Sequence, residues 1–112
     1  MTVRVLALAV LASSLVLALP GRADEALTNP VLGQPQAIEQ GDTLYRSHCI
    51  GCHGRAGGRG PNLFETKLSD ARFMETVING RKGTQMPAWG LRLSPDEVWA
   101  VEAYVKSRKS AW

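Results

Sequence analysis

Two cysteines and a histidine stand together near the middle of the chain, in the order Cys49-Ile50-Gly51-Cys52-His53. The sequence contains no other cysteine. This C-x-x-C-H pattern is typical of covalent haem attachment, because each thiol can add to one vinyl group of the ring. The histidine can then ligate the iron through a neutral ring nitrogen. The motif predicts one c-type haem, bound through Cys49 and Cys52, with His53 as an axial ligand.

Three other kinds of site use similar residues. A thioredoxin-like dithiol normally lies between alternating strands and helices, which this sequence does not predict. A zinc site needs four ligands, and the one further histidine, His48, is adjacent to Cys49. A structural disulfide would leave His53 without a role, although the thiols could be oxidised before haem is attached. Covalent haem is therefore the favoured interpretation.

The first 23 residues have the pattern of a secretory signal. A short basic start is followed by an apolar run over residues 5–19 and by small residues up to Ala23. We expect residues 1–23 to be a signal peptide cleaved after Ala23. The apolar run is shorter than the roughly 20 residues of a membrane span, so an uncleaved anchor is the less favoured alternative. We expect export to the bacterial periplasm without stable membrane insertion.

The whole chain carries a net charge of +3. Arg4 and Arg22 belong to the predicted signal, and their removal leaves the basic and acidic residues nearly balanced, which argues against nucleic-acid binding. The remaining chain is long enough for one small domain, and domains of this size are marginally stable. A covalently held haem would compensate, so we predict that the chain without haem is poorly folded.

Three segments have helical patterns and none has the alternation of a strand. Apolar residues recur at spacings of three and four from residue 37 to 48. Ser69 or Asp70 can cap a second helix ending near Asn79, with Gly80 at its C-terminal stop. A capping box with proline predicts a third helix from Ser94 to about Ser107 or Arg108. The composition predicts an irregular leader over residues 24–36. The predicted fold is an all-α domain over residues 37–112.

Two residues within these helices, Gly41 and Met74, have predicted roles in packing. Gly41 costs the first helix about 1 kcal/mol relative to alanine, so we expect close packing of another helix to compensate. Met74 lies in the apolar stripe of the second helix. A methionine in that position is more often part of the core than a ligand.

Two loops carry the remaining candidate site residues. The glycine-rich segment after His53 lacks the ending of a phosphate-binding loop, and Gly60-Pro61 within it can place a carbonyl beside the histidine ring. Such an acceptor orients a ligating histidine. The second loop carries Met86 just before Pro87, where packing alone seldom requires a methionine. Because a thioether is a soft iron ligand, we predict Met86 as the sixth ligand.

Together these features resemble the class I monohaem cytochromes c, over nearly all of residues 24–112. The resemblance implies a small cytochrome c fold, in which three main helices wrap around one covalent haem. It also implies that the first and last helices cross at Gly41, near Tyr104. The roles it implies are thioether formation by Cys49 and Cys52, iron ligation by His53 and Met86, and a hydrogen bond from His53 to the carbonyl of Pro61.

The segment that begins at Met86 is similar to small bacterial cytochromes that serve periplasmic dehydrogenases or terminal oxidases. Trp89 departs from the smaller residue or phenylalanine expected there, so we assign it to the wall of the haem pocket. The resemblance implies a one-electron carrier and not an enzyme, expected as a monomer that exchanges electrons with redox protein partners. Four cations on the predicted loops could steer an acidic partner: Arg55, Arg59, Arg81 and Lys82.

Two other functions stay open at this level. One is a haem subunit fixed within a larger membrane oxidoreductase. The other is a ligand-binding or peroxidase-like haem protein, which would require that Met86 is not a stable ligand.

Overall fold

A computed structural model of the 112-residue chain describes residues 27–108, together with residues 2, 9 and 12–14. Apart from those isolated positions, the predicted signal peptide lies outside the described residues, and so does its cleavage site at Ala23. The described part contains four α-helices and no strand, which confirms the all-α prediction. The helices are α1 (Pro35–His48), α2 (Ile50–His53), α3 (Asp70–Asn79) and α4 (Pro95–Ser107), and single 3-10 turns occupy Leu63–Glu65 and Trp89–Leu91.

Helices α1 and α4 cross at Gly41. A Cβ atom added to this glycine would lie 1.9 Å from the carbonyl oxygen of Ala100 and 2.8 Å from the Cβ of Tyr104. Only a residue without a side chain permits such an approach of two helix backbones. The predicted crossing of the first and last helices is therefore confirmed.

Helix α4 forms the centre of the core and begins at a capping box. The hydroxyl of Ser94 accepts from the Glu97 backbone N–H at 3.2 Å, and the Glu97 carboxylate accepts from the Ser94 N–H at 3.0 Å. The predicted apolar face is buried, and so is every other residue from Val98 to Val105, because α4 packs against both α1 and α3. The buried residues are Val98, Trp99, Ala100, Val101, Glu102, Ala103, Tyr104 and Val105.

Helix α3 begins and ends where the sequence predicts. The hydroxyl of Ser69 accepts from the Arg72 N–H at 3.3 Å, and Gly80, with φ of 71°, follows its last residue. Phe73 and Met74 are buried in the core cluster. Met74 therefore serves as core, as predicted.

Helix α1 begins two residues earlier than predicted. Pro35 is its first residue, because a proline there has no N–H to leave unpaired and its φ suits a helix. The prolines of the leader favour an irregular segment up to residue 36, and the start predicted at Ala37 is wrong. Before α1, the described part of the leader is a turn in which Asn29 is buried.

Candidate haem-binding site

A largely apolar cavity of about 600 Å³ lies between the helices and loops. Its volume is in the range of cofactor sites. Apolar side chains from α3, α4 and the intervening loops form its walls, among them Leu63, Phe73, Val77, Leu93 and Val101. All five residues that the sequence predicts for the site line this one cavity: Cys49, Cys52, His53, Pro61 and Met86.

The two cysteines are presented by one helical turn. Cys49 ends α1, where its N–H donates to the Tyr45 carbonyl at 2.9 Å, and its own carbonyl accepts from the N–H groups of Cys52 and His53. Both thiols are free. Burial, and then the neighbouring Cys52, raise the pKa of the Cys49 thiol to about 11. The Cys49 thiol is thus protonated at neutral pH. Both cysteines line the cavity, as addition to two vinyl groups of one ring requires.

His53 is buried, and its ring orientation is fixed. Nδ1 lies 2.8 Å from the carbonyl oxygen of Pro61. Since a carbonyl can only accept, Nδ1 carries the hydrogen and Nε2 keeps its lone pair for a metal. Gly60 packs flat against the ring, because a Cβ there would lie 2.6 Å from Cε1. The backbone N–H of Gly60 donates to the Cys52 carbonyl at 2.9 Å, which fastens this loop to the haem motif.

Met86 is half-buried at the cavity and its backbone is held on both sides. Its carbonyl accepts from the Arg81 N–H at 3.2 Å, and its N–H donates to the Thr84 hydroxyl at 3.2 Å. A Cβ on Gly80 would lie 2.7 Å from the Met86 carbonyl oxygen, so the loop folds back closely on the end of α3. These contacts close the loop into a compact turn that presents Met86 to the cavity.

Trp89 lies in the cavity wall and contacts His48. Their ring centroids are 5.4 Å apart, and both residues line the cavity. This contact joins the segment that carries the cysteines to the segment that carries Met86. From the sequence, His48 is a candidate only for a zinc site. Its position directly before Cys49 was the available signal that it would lie at the cavity.

The four predicted docking cations do not lie together. All four are exposed, and none takes part in the ion pairs found among residues 27–108. Arg59 and Arg81 line the haem cavity, whereas Arg55 lines a separate cleft. Lys82 follows Arg81 on the loop. The positive region at the cavity mouth is defined here by Arg59 and Arg81 of the lining, together with Lys82, which adjoins Arg81 in the sequence; Arg55 lies outside it.

The fold and the cavity define a small c-type cytochrome. The family model described as cytochrome c oxidase, cbb3-type, subunit III matches residues 36–105, and the chain belongs to this family. It is a class I monohaem c-type cytochrome. Its cofactor is covalent haem c with its iron, for which Cys49 and Cys52 are the two cysteines available.

Two curated relatives are similar in sequence. The cbb3-type cytochrome c oxidase subunit FixP of Azorhizobium caulinodans is 34% identical over 89 residues, which cover 71% of this chain and 30% of that protein. Cytochrome c550 of Pseudomonas aeruginosa is 38% identical over 80 residues, covering 63% of this chain and 55% of that protein. The chain thus spans less than a third of the FixP subunit and about half of the cytochrome c550.

A solved structure shares the fold. Cytochrome cL of the marine methylotroph Methylophaga aminisulfidivorans superposes with a TM-score of 0.65 at 28% identity, over 71% of this chain and 58% of that one. The predicted small cytochrome c fold is confirmed by this similarity. Within the described residues, the structure has no helix long and apolar enough to cross a membrane.

Proposed function

We propose that the protein is an exported one-electron carrier whose haem iron is ligated by His53 and Met86. The observation that carries this proposal is that both side chains, and both cysteines, line one apolar cavity. Bound haem supplies a couple between iron(III) and iron(II). The chain's own residues hold the haem, provide its axial ligands and exclude water.

His53 is suited to permanent ligation. Because Nδ1 donates to the Pro61 carbonyl, the imidazole is held in one tautomer with Nε2 available. The same hydrogen bond makes the ring a more basic ligand, which favours the oxidised iron. Gly60 prevents the ring from tilting, since there is no free space between the loop and the imidazole.

Met86 completes a filled coordination sphere. A thioether is a neutral, soft ligand, and histidine with methionine is the pair found in electron-transfer cytochromes c. The folded-back loop brings Met86 to the cavity without a large rearrangement. With both axial positions filled, no site remains for oxygen or a substrate, and outer-sphere electron transfer is the chemistry that such a centre supports.

The test is an absorption spectrum of the holoprotein, exported from a host with haem-attachment machinery. We expect low-spin bands, a weak far-red methionine-to-iron(III) band and no response of the reduced protein to carbon monoxide. Met86→Leu removes the thioether at nearly constant volume and should abolish the far-red band. The matched control Met74→Leu changes a core methionine in the same way and should retain it. A high-spin wild-type spectrum that shifts with carbon monoxide would refute the carrier and favour a ligand-binding or peroxidase-like protein.

The positive region at the cavity mouth suits an acidic redox partner, such as a periplasmic dehydrogenase as donor or a terminal oxidase as acceptor. The positive charges of this region attract an anion and raise its encounter rate at low ionic strength. Ferricyanide is a suitable anionic oxidant. The double variant Arg81→Gln/Lys82→Gln should flatten the salt dependence of its reaction with the reduced holoprotein. Arg72→Gln, an exposed change on α3 outside the cavity lining, should leave it unaltered; equal slopes in all three proteins would contradict this docking role.

A second candidate function is that of a haem subunit held in a larger membrane oxidoreductase. The family model and the FixP relative, both described by their names as oxidase subunits, favour it. Fractionation of the native host separates the two functions. Recovery of the holoprotein in the periplasmic fraction supports the free carrier, and recovery in a membrane complex supports the subunit.

A further inference from the structure

A second cleft, of about 140 Å³, is lined by three arginines. It shares no lining residue with the haem cavity. Arg46 comes from α1, Arg55 from the loop after His53, and Arg108 from the residue that follows α4. No acidic side chain of the described residues lines it. The crossing of α1 and α4 thus brings three positive side chains from distant parts of the sequence around one space.

Two of these arginines are held in place by neighbours. The guanidinium of Arg108 lies 5.6 Å from the centroid of the Tyr104 ring. Arg46 donates to the Asp42 carboxylate from Nε at 2.7 Å and from Nη2 at 3.5 Å, which leaves Nη1 for another acceptor. Arg55 takes part in none of the ion pairs found among residues 27–108. Asp42 neutralises Arg46, whereas the charge of Arg55 meets no carboxylate within residues 27–108.

The floor of the cleft is a rigid aromatic triangle. The ring centroids of Tyr45, Phe64 and Tyr104 lie 5.2, 5.5 and 5.9 Å from one another, and all three residues are buried. The Tyr45 hydroxyl donates to the Gly54 carbonyl. Burial, and then the nearby Cys49 and Tyr104, raise the pKa of Tyr45 to about 12, so the floor carries no negative charge at neutral pH.

We propose that this cleft binds a small oxyanion of the phosphate class and that binding is linked to the redox state of the haem. Guanidinium groups present paired N–H donors that match the oxygens of such an anion. The volume admits one small anion with its water and excludes a nucleotide. The link to the haem rests on the proposed function.

The redox link follows from the position of the cleft. Arg55 is two residues after His53, and the Tyr45 hydroxyl holds the carbonyl of Gly54 between them. A bound anion therefore adds negative charge beside the segment that carries the axial histidine. Negative charge favours the more positive iron(III) state, so the oxidised protein binds the anion more tightly. By linkage, the anion must lower the reduction potential.

The binding arm uses the oxidised holoprotein and inorganic phosphate at constant ionic strength, followed by calorimetry. Saturable binding is expected, weakened about tenfold or more in Arg55→Gln, because the variant loses a charge-assisted hydrogen bond to the anion. Arg72→Gln, an exposed arginine outside the cleft, is the matched control and should bind as the wild type does. Absence of saturation, or equal weakening by the two changes, would overturn the site.

The redox arm measures the reduction potential with and without saturating phosphate. The wild type should shift to a lower potential, and Arg55→Gln should not shift under the same conditions. Saturable binding without a shift would overturn the redox link. The binding arm is independent of Met86, so failure of the anion site and failure of His53/Met86 ligation are separate results, the second being visible in the far-red band alone.

Discussion

The side-chain amide nitrogen of Asn29 lies 2.9 Å from a carboxyl oxygen of Glu102, although 73 positions separate the two residues. The same nitrogen donates to the Trp99 carbonyl at 2.9 Å, and the backbone N–H of Asn29 donates to Asp70 at 2.7 Å. Glu102 has no exposed surface. Asn29 thus fastens the segment before α1 to both α3 and α4.

Replacement of Asn29 should destabilise the whole domain. Asn29→Ala leaves the Glu102 carboxyl without its amide donor inside the core, and a buried polar group left without its partner costs about 1–3 kcal/mol. We expect a lower midpoint in urea denaturation of the holoprotein, by that amount of free energy. Thr28→Ala, at the exposed neighbouring position, should change the midpoint little. Equal midpoints for both variants would show that the segment before α1 contributes nothing to stability.

Glu102 should make stability depend on pH above its ordinary pKa of 4.5. Burial raises its pKa, and the donors Asn29 and Lys106 only partly oppose this. The folded state therefore holds the proton more tightly than the unfolded state, so this contribution is present below pH 4.5 and is lost as pH rises through the folded pKa. Two carboxyl groups, Glu102 and Asp70, face the single ammonium of Lys106.

The variant Glu102→Gln tests this sign, because it mimics the protonated carboxyl at every pH. Its stability relative to the wild type should rise between pH 4.5 and 7.5 in urea denaturation. Burial favours the neutral form of Asp70, but its bonds from Asn29 and Lys106 outweigh burial and lower its pKa, so it titrates below this window. Lys106 stays charged, because bonds to the two carboxyls outweigh its burial and raise its pKa. A difference that stays constant with pH would contradict the raised pKa of Glu102.

The sequence predicts the parts of this fold that depend on local chemistry. The capping residues Ser69 and Ser94 set the starts of α3 and α4, and Gly80 sets an end, because caps act within one turn. The placement of the five site residues at one cavity also follows from ordered motifs. Gly41 predicted a close helix contact, because a glycine inside a helix needs compensation from its neighbours.

The features that the sequence analysis missed depend on contacts between distant residues. Glu102 and Lys106 are four apart on α4 and have the spacing of an ordinary surface ion pair, yet packing by α3 and the leader buries Glu102. Asn29 lies in a segment without periodicity, so no local pattern marks it. The arginine cleft likewise exists only after α1 and α4 cross, which brings Arg55 near Arg108.

Gly41→Ala should destabilise the domain although alanine is the better helix former. The gain in helix propensity is about 1 kcal/mol, whereas a Cβ atom 1.9 Å from the Ala100 carbonyl oxygen forces α1 and α4 apart. Overpacking of this kind typically costs about 1–3 kcal/mol and occasionally more. Because no flexible side chain at the contact can move aside, we expect the cost of Gly41→Ala to lie at the upper end of that range. We expect a lower melting temperature of the holoprotein.

Gly51→Ala is the matched control for that change. Gly51 is also helical, and a Cβ there meets no other atom within 4 Å. Its melting temperature should be equal to or slightly above that of the wild type. If Gly41→Ala melted no lower than Gly51→Ala, the two helices would not be in the close contact that the crossing requires.

Trp89→Ala should weaken the hold on the loop that carries Met86 and leave the methionine itself in place. Trp89 is three residues after Met86, and its ring contacts His48, beside Cys49. Without the ring, the methionine loop keeps its own hydrogen bonds, from the Arg81 N–H and to the Thr84 hydroxyl, but loses this contact with the segment that carries the cysteines. An aromatic pair contributes about 0.5–1.5 kcal/mol. Under the proposed ligation, imidazole should therefore displace Met86 from the iron at a concentration about twofold to tenfold lower than in the wild type.

The loss of the far-red methionine-to-iron(III) band measures that displacement directly. The control Leu91→Ala lies on the same 3-10 turn, is 93% exposed and should leave the imidazole titration unchanged. His48→Ala should have the same effect as Trp89→Ala, and the double variant should be no weaker than either single one, because all three remove one contact. Additive effects would mean that the two rings act on Met86 separately, and that the contact between them does not hold the methionine loop against the cysteine-bearing segment.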